Sequence, residues 1–388
     1  MKLRLAFALV GFVVLSPHLW AQGNFVYTNN DELGANTVSA FAVGKDGTLS
    51  EVQGSPFSTG GEGGGLKVGR LFASNRIRVT STFLYASNAW TNDVSGFSID
   101  PETGTLTAVP GSPFPTGGQG GWGVSLAITP DGRLLYAGNN GSSDITVFSI
   151  GLDGELTPIG DRVPAGDTVN GMTVAPSGRW LAVALTYEGP HGSVAMFSID
   201  PKTGDLTAIK GSPFPVREPG GPGGWAAGVE INCASDALFV GEAALTTTVD
   251  VLAIDAQTGA LTPIEGSPFM PSIGRNSNVP LLTPDDSFLF VSNQLSNSVT
   301  VFSVGEKHDL TLVPGSPFDT GGKSGGPSGM ATNQEGIFLN TTKFFPDGVA
   351  VFGVPSDGVL KPVPGSPFPT SRRARLFSLA AYPSKTCK

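Results

Sequence analysis

Histidine and cysteine are scarce in this chain. Its 388 residues hold three histidines, His18, His191 and His308, and two cysteines, Cys233 and Cys387. No group of them has metal-ligand spacing, so neither a metal centre nor a cofactor is expected. Two cysteines cannot build a disulfide framework. Lying in well-separated repeats, they read as free thiols or one isolated bridge. No Gly-x-Ser-x-Gly elbow or other nucleophile signature stands out. The Gly-Gly-x-Gly-Gly runs are not phosphate loops, because strands rather than helices follow them. Charge is also low, at 14%, and of one balance: the formal net charge is −9, or −11 once Lys2 and Arg4 are removed. An acidic surface repels phosphate backbones, which argues against nucleic acid as a partner. Helix-forming residues are not enriched, whereas there are 54 glycines and 31 prolines, the composition of many short strands joined by tight turns.

Long apolar runs are lacking too. Leu5 to Leu15 follows the basic Lys2 and Arg4 and is broken by Ser16, Pro17 and His18 before Leu19-Trp20-Ala21. It is shorter than the roughly 20 residues of a membrane-spanning helix. The layout predicts a signal peptide over 1–21 with cleavage after Ala21, although Leu19 is large for its position, and a retained anchor is the alternative. Residues 22–388 are then one domain, secreted or periplasmic, with no transmembrane span, expected as a monomer.

What is present is repetition. A hexapeptide of aliphatic, two variable residues, Phe or Leu, a small or polar residue, then Ile or Val starts at Val38, Val94, Ile145, Val194, Val249, Val299 and Val349. The spacings are 56, 51, 49, 55, 50 and 50 residues, so seven units fill nearly the whole mature chain. The third unit reads strand Gly123–Pro130, turn Asp131-Gly132, strand Arg133–Gly138, strand Ile145–Ile150, turn Asp153-Gly154 and strand Leu156–Ile159. Asp-Gly turns join adjacent antiparallel strands. Four such strands per unit make a propeller blade, and the predicted fold is an all-β, seven-bladed β-propeller. Gly-Ser-Pro-Phe follows the fourth strand in six units, from Gly54, Gly111, Gly211, Gly266, Gly315 and Gly365. It reads as structural: proline protects the blade's outer edge, and phenylalanine fills the seam to the neighbour. The chain opens on a second strand, Asn24–Asn29, and ends with a spare one, Leu376–Ala381, which should complete the first blade and close the ring.

Loops between second and third strands share a face with the crossings to the next blade. Those crossings are long and Gly-rich: Gly60–Gly65, Gly117–Gly123, Gly220–Gly224 and Gly321–Gly329. The other face has only short turns, so a site is expected at the channel mouth on the long-loop face. Trp122 and Trp225 open first strands there and suit a sugar by stacking, or simply pack the blade top. Arg275, Asn276 and Asn278, with Arg372, Arg373 and Arg375, can hold a carboxylate or phosphate, or are solvated loop charges. Glu230 lies on a first strand. Glu242 ends a second strand and can act as general acid or base. His191 lies in a loop of the same face.

The stretches "LLYAGNNGSSDITVFSI…DGELT" and "FLFVSNQLSNSVTVFSV" resemble the lactonase-type seven-bladed propellers, the family of bacterial 6-phosphogluconolactonase and fungal carboxy-cis,cis-muconate cyclase. The resemblance covers all seven repeats. It implies that Glu242, in Gly241-Glu242-Ala243, stands where the family has its proposed catalytic glutamate. The family's Asn-Arg pair is Asn293-Gln294 here, its Pro-His-x-His stretch falls near Asn170, and its Gly-Pro-Arg-His stretch falls near Gly223-Gly224-Trp225. These departures, together with export, argue against a phosphorylated substrate. Two functions stand open. One is an exported lactonase or cycloisomerase acting on a small lactone, with Glu242 as acid or base and Arg275 beside the carboxylate. The other is a non-catalytic propeller that binds a glycan, peptide or cell-envelope component through Trp122, Trp225, Glu230, Asn278, Asn170, His191 and Arg375.

Overall fold

The seven hexapeptides become the third strands of seven antiparallel sheets: Gly34–Val43, Asp93–Ile99, Asp144–Ile150, Ser193–Ile199, Val249–Ile254, Ser298–Val304 and Gly348–Gly353. The structure is a computed structural model. It describes residues 23–64, 75–118, 123–186, 192–216, 225–243, 248–270, 277–322, 326–343, 347–370 and 378–388. The leader over 1–21 lies outside these. Among the described residues there is no helix, hence none long and apolar enough to cross a membrane. Each blade runs from an inner first strand outward, as in the third: Val124–Ile128, Leu134–Asn139, Asp144–Ile150, Leu156–Pro158.

The sheets stack face to face, so their middle strands are covered on both sides. Leu134–Asn139 and Trp180–Leu185 are buried at every position, which is why they are apolar at both parities. Seven apolar clusters fill the spaces between neighbouring blades, and one of them joins Val349 and Val351 of the last blade to Val26 and Phe41 of the first. The predicted closure is present. Ser378–Tyr382 pairs antiparallel with Phe25–Asn29 as the inner strand of the first blade, and the Tyr382 hydroxyl donates to Ser81 O at 3.0 Å.

Two devices lock one blade to the next. Tyrosines near the middle of the second strand donate across the seam to the turn glycine of the following blade: Tyr27 to Gly104 O at 3.0 Å, Tyr85 to Gly154 O at 2.9 Å, Tyr136 to Gly204 O at 3.2 Å. The large residue that opens the second strand packs on the same glycine. Phe83 faces Gly154 and Trp180 faces Gly259, both at positive φ. Between the fifth and sixth blades the sizes are exchanged. Ala237 opens the strand, and His308, at φ 64°, occupies the turn, with its Nε2 3.3 Å from Asp236.

The Gly-Ser-Pro-Phe motif sits inside the outer strand rather than after it, which corrects the edge-protection reading. Leu206–Ala208 and Phe214–Pro215 both pair with Ser193–Ile199, and the motif bulges out between them. Ser212 Oγ accepts the Met196 N–H that the bulge would leave unpaired, at 2.9 Å. Ser55, Ser112, Ser267, Ser316 and Ser366 do the same in their blades. Leaving such a buried donor unmet costs about 1–3 kcal/mol. The phenylalanines do pack into the seams.

One further expectation is corrected. Gly60–Gly63 is not loop but the end of a seven-residue outer strand, Phe57–Gly63. Of the two readings left open for the cysteines, the single bridge holds: Cys233 and Cys387 form a disulfide across 154 residues of chain. The tail beyond Tyr382 makes this possible by leaving the first blade and reaching the fifth.

Candidate functional site

The blade repeat supplies its own reference for what is unusual. At or beside the end of the second strand, three residues beyond the central aromatic position, four blades carry an asparagine whose amide ties down the start of the third strand. Asn30 donates to Thr37 and Ser39, Asn88 to Asp93 and Ser95, Asn139 to Asp144 and Thr146, and Asn293 to Ser298 and Thr300, at 2.5–3.2 Å. The fifth blade breaks the rule with Glu242, which is fully buried. Thr248 Oγ1 donates to Glu242 Oε2 at 2.6 Å and so fixes the carboxylate. The third-strand position that carries Ser or Thr in those four blades is Asp250 here, also buried. The seventh blade places Lys343 at the same point, and burial lowers the pKa of its ammonium, with Asp319 opposing.

The inner strands mark the same region. Those of the fourth, fifth and sixth blades skip register at their long-loop ends, between Val169 and Gly171, Ala226 and Gly228, and Ser277 and Pro280. Such bulges re-aim side chains and cluster beside active sites. Asn170 lies in the first and Asn278 in the third. Asn170 is buried. Its Nδ2 donates to Ala226 O at 3.5 Å, and its carbonyl accepts the Ser125 hydroxyl. Ala226 is the ladder partner of Glu242, and half-buried Trp225 precedes it. Asn170 and Glu242 are therefore linked through Ala226, next to Trp225, at the seam of the fourth and fifth blades.

Other candidates fall elsewhere. Glu230 stands at the far end of its strand, next to the short-turn face, and pairs with Lys385 of the tail. Trp122, His191, Arg275, Asn276, Arg372, Arg373 and Arg375 lie outside the described residues. Sequence reasoning missed Thr248, Asp250 and Lys343. Aligning the second-strand ends, Asn88 and Asn139 against Glu242 and Lys343, would have exposed Lys343. A buried pair, Arg76 Nη1 to Asp31 Oδ2 at 2.5 Å, holds the first two blades together on the long-loop face. Among the described residues no group of three or more His, Cys, Asp or Glu can hold a metal.

A closed seven-bladed propeller with one irregular sector at its long-loop mouth is the class of protein these features define. The profile of the family described as "Lactonase, 7-bladed beta-propeller" matches residues 112–221 and 237–369, more than half of the chain. The chain belongs to that family. It is 26% identical over 129 residues to a 6-phosphogluconolactonase of Serratia proteamaculans, covering 33% of this chain and 38% of the relative. A second such enzyme, of Cronobacter sakazakii, is 34% identical over 90 residues, covering 23% and 26%. These matches thus span only a quarter to two fifths of the relatives' lengths. Among solved structures, a putative 6-phosphogluconolactonase from Bacteroides fragilis superposes with a TM-score of 0.72 at 19% identity, covering 94% of this chain and 99% of that one. A periplasmic gluconolactonase of Pseudomonas aeruginosa gives 0.51 at 17% identity, covering 88% and 82%. At these identities the structures speak for the fold alone.

Proposed function

We propose that this protein is an exported lactonase that opens a small, unphosphorylated lactone at the long-loop mouth, between the fourth and sixth blades. The observation that carries the reading is Glu242, a buried carboxylate where four other blades use asparagine, in a chain of the lactonase family. In this reaction a carboxylate takes a proton from water as the water adds to the ring carbonyl. It returns the proton to the ring oxygen as the C–O bond breaks, giving a hydroxy acid. Thr248 holds Glu242 in one orientation, and Asn170 and Trp225 bound the space beside it. Arg275 is the assigned partner of the new carboxylate. Export rests on the leader, and amino-terminal sequencing of protein from the periplasm or medium tests it, with a start after Ala21 expected.

The activity test is a panel of γ- and δ-lactones with wild type and Glu242→Gln. General acid–base groups contribute about 10²–10⁴-fold, so a loss of that size is expected with an unchanged circular dichroism spectrum. Equal rates for the two proteins, or no hydrolysis above background by wild type, would overturn the reading. Retention on a glycan array, lost in Trp225→Ala, would then favour the binding alternative.

A further inference from the structure

The second mouth of the channel, on the short-turn face, is not a plain opening. A cavity of about 630 Å³ lies there, walled by the second to seventh blades and by the tail beyond Tyr382. The tail, Pro383 to Cys387, lies along it. It leaves the first blade and is fastened on the opposite side by the Cys233–Cys387 disulfide and by the Lys388 N–H to Pro284 O at 3.0 Å. This tethered segment narrows the channel end into a chamber.

Arg78, on the inner strand Ile77–Val79 of the second blade, lines this chamber. Its guanidinium has five donors. The described contacts are two long ones to carbonyls, Nη1 to Ile77 O at 3.4 Å and Nη2 to Met172 O at 3.5 Å, and no described carboxylate lies within ion-pair distance. The group is half-buried, and desolvation lowers its pKa to about 10, against the favourable field of Glu230. A partly desolvated cation without an ion partner favours a counter-anion. Nearby carboxylates are engaged. Glu230 is held by Lys385, which also donates to Leu282 O at 3.1 Å. Asp131 is held by Arg133 Nε at 2.6 Å, and Asp286 accepts the Cys233 N–H at 2.7 Å. Lys385 is thus answered by Glu230, with Asp286 close to both, and Arg78 is left as the cation with no described carboxylate at ion-pair distance. Hydroxyls of Thr80, Ser81, Thr173, Ser384 and Thr386 also line it.

We propose that this chamber is a second ligand site, which takes a small polyhydroxylated carboxylate. Arg78 receives the carboxylate in its two-pronged fork, and the threonine and serine hydroxyls receive the ligand's own hydroxyls. The tail supplies one wall, so the disulfide is part of the site. The proposal is independent of the chemistry assigned to Glu242, which lies at the opposite end of the fifth blade's strands.

The test is calorimetric titration of the oxidised mature protein with sodium D-gluconate, with D-glucose and inorganic phosphate as comparison ligands. Saturable gluconate binding is expected, weakened at least tenfold in Arg78→Met and unchanged in Glu242→Gln. Lactone hydrolysis should in turn be unchanged in Arg78→Met. Lys385→Met on the tail gives a second probe should Arg78→Met fail to fold, and it too should weaken gluconate. Gluconate binding no tighter than glucose overturns the proposal, as does a change under twofold in the folded variants. Tighter binding of phosphate than of gluconate overturns the assignment of a hydroxy acid.

Discussion

Gly154→Ala tests how strictly adjacent blades are fitted to each other. Gly154 is at φ +85°, and a Cβ there would stand 2.6 Å from the Phe83 ring and 3.0 Å from Val109. A left-handed alanine costs roughly 1–2 kcal/mol. Overpacking of a filled seam adds about 1–3 kcal/mol. The substitution should therefore destabilise by roughly 2–5 kcal/mol, read as a drop in urea midpoint with an unchanged denaturant slope. Part of that penalty belongs to the pair rather than to the glycine. Phe83→Ala removes the obstructing ring at its own cost, so the double variant should be more stable than the sum of the singles predicts, by about 1–3 kcal/mol. The backbone share should remain in the double variant. Nature has made a related exchange between the fifth and sixth blades, where Ala237 accompanies His308 at φ 64°. Additivity of Gly154→Ala and Phe83→Ala within about 0.5 kcal/mol would refute the reasoning, because contacting residues must couple.

Two further outcomes follow from the fold. Replacing Cys233 and Cys387 together with alanine removes a crosslink spanning 154 residues. It should lower stability by about 2–5 kcal/mol, seen as a guanidinium midpoint that no longer responds to reductant. Asp100, Asp200 and Asp255 each accept backbone N–H groups in their turns, which lowers their carboxyl pKa values. A folded pKa below the unfolded one gives stability that is present above about pH 4 and lost as pH falls through the lowered value. The triple asparagine variant should accordingly show a shallower loss of melting temperature between about pH 5 and pH 2 than wild type.

The fold was legible because its signals are local and repeated. Val38 to Val349 recur at near-constant spacing, so blade number follows from counting, and the leftover strand at the C-terminus has only one vacancy to fill. The role of Gly-Ser-Pro-Phe was misread because its serine works through the backbone N–H of a residue 16 positions back, as Ser212 does for Met196, and no local pattern announces such a partner. Whether the two cysteines are bridged was undecidable for the same reason. Only the closed ring and the crossing tail bring Cys387 to Cys233. The site was partly legible. Glu242 stood out as an acid at a strand end, but Glu230 looked equivalent until its strand direction placed it at the opposite mouth beside Lys385. Thr248 became visible only as the side chain that orients Glu242.

Phe25–Asn29 and Ser378–Tyr382 are neighbours in space but are made about 350 residues apart along the chain. Until the second of them emerges, the opening sheet has a vacant edge, and the apolar faces of both flanking blades stay wet. The nascent polypeptide thus cannot reach its finished shape before then. Ser378–Tyr382 acts as a latch, and the ring stays unfinished until that segment has been made.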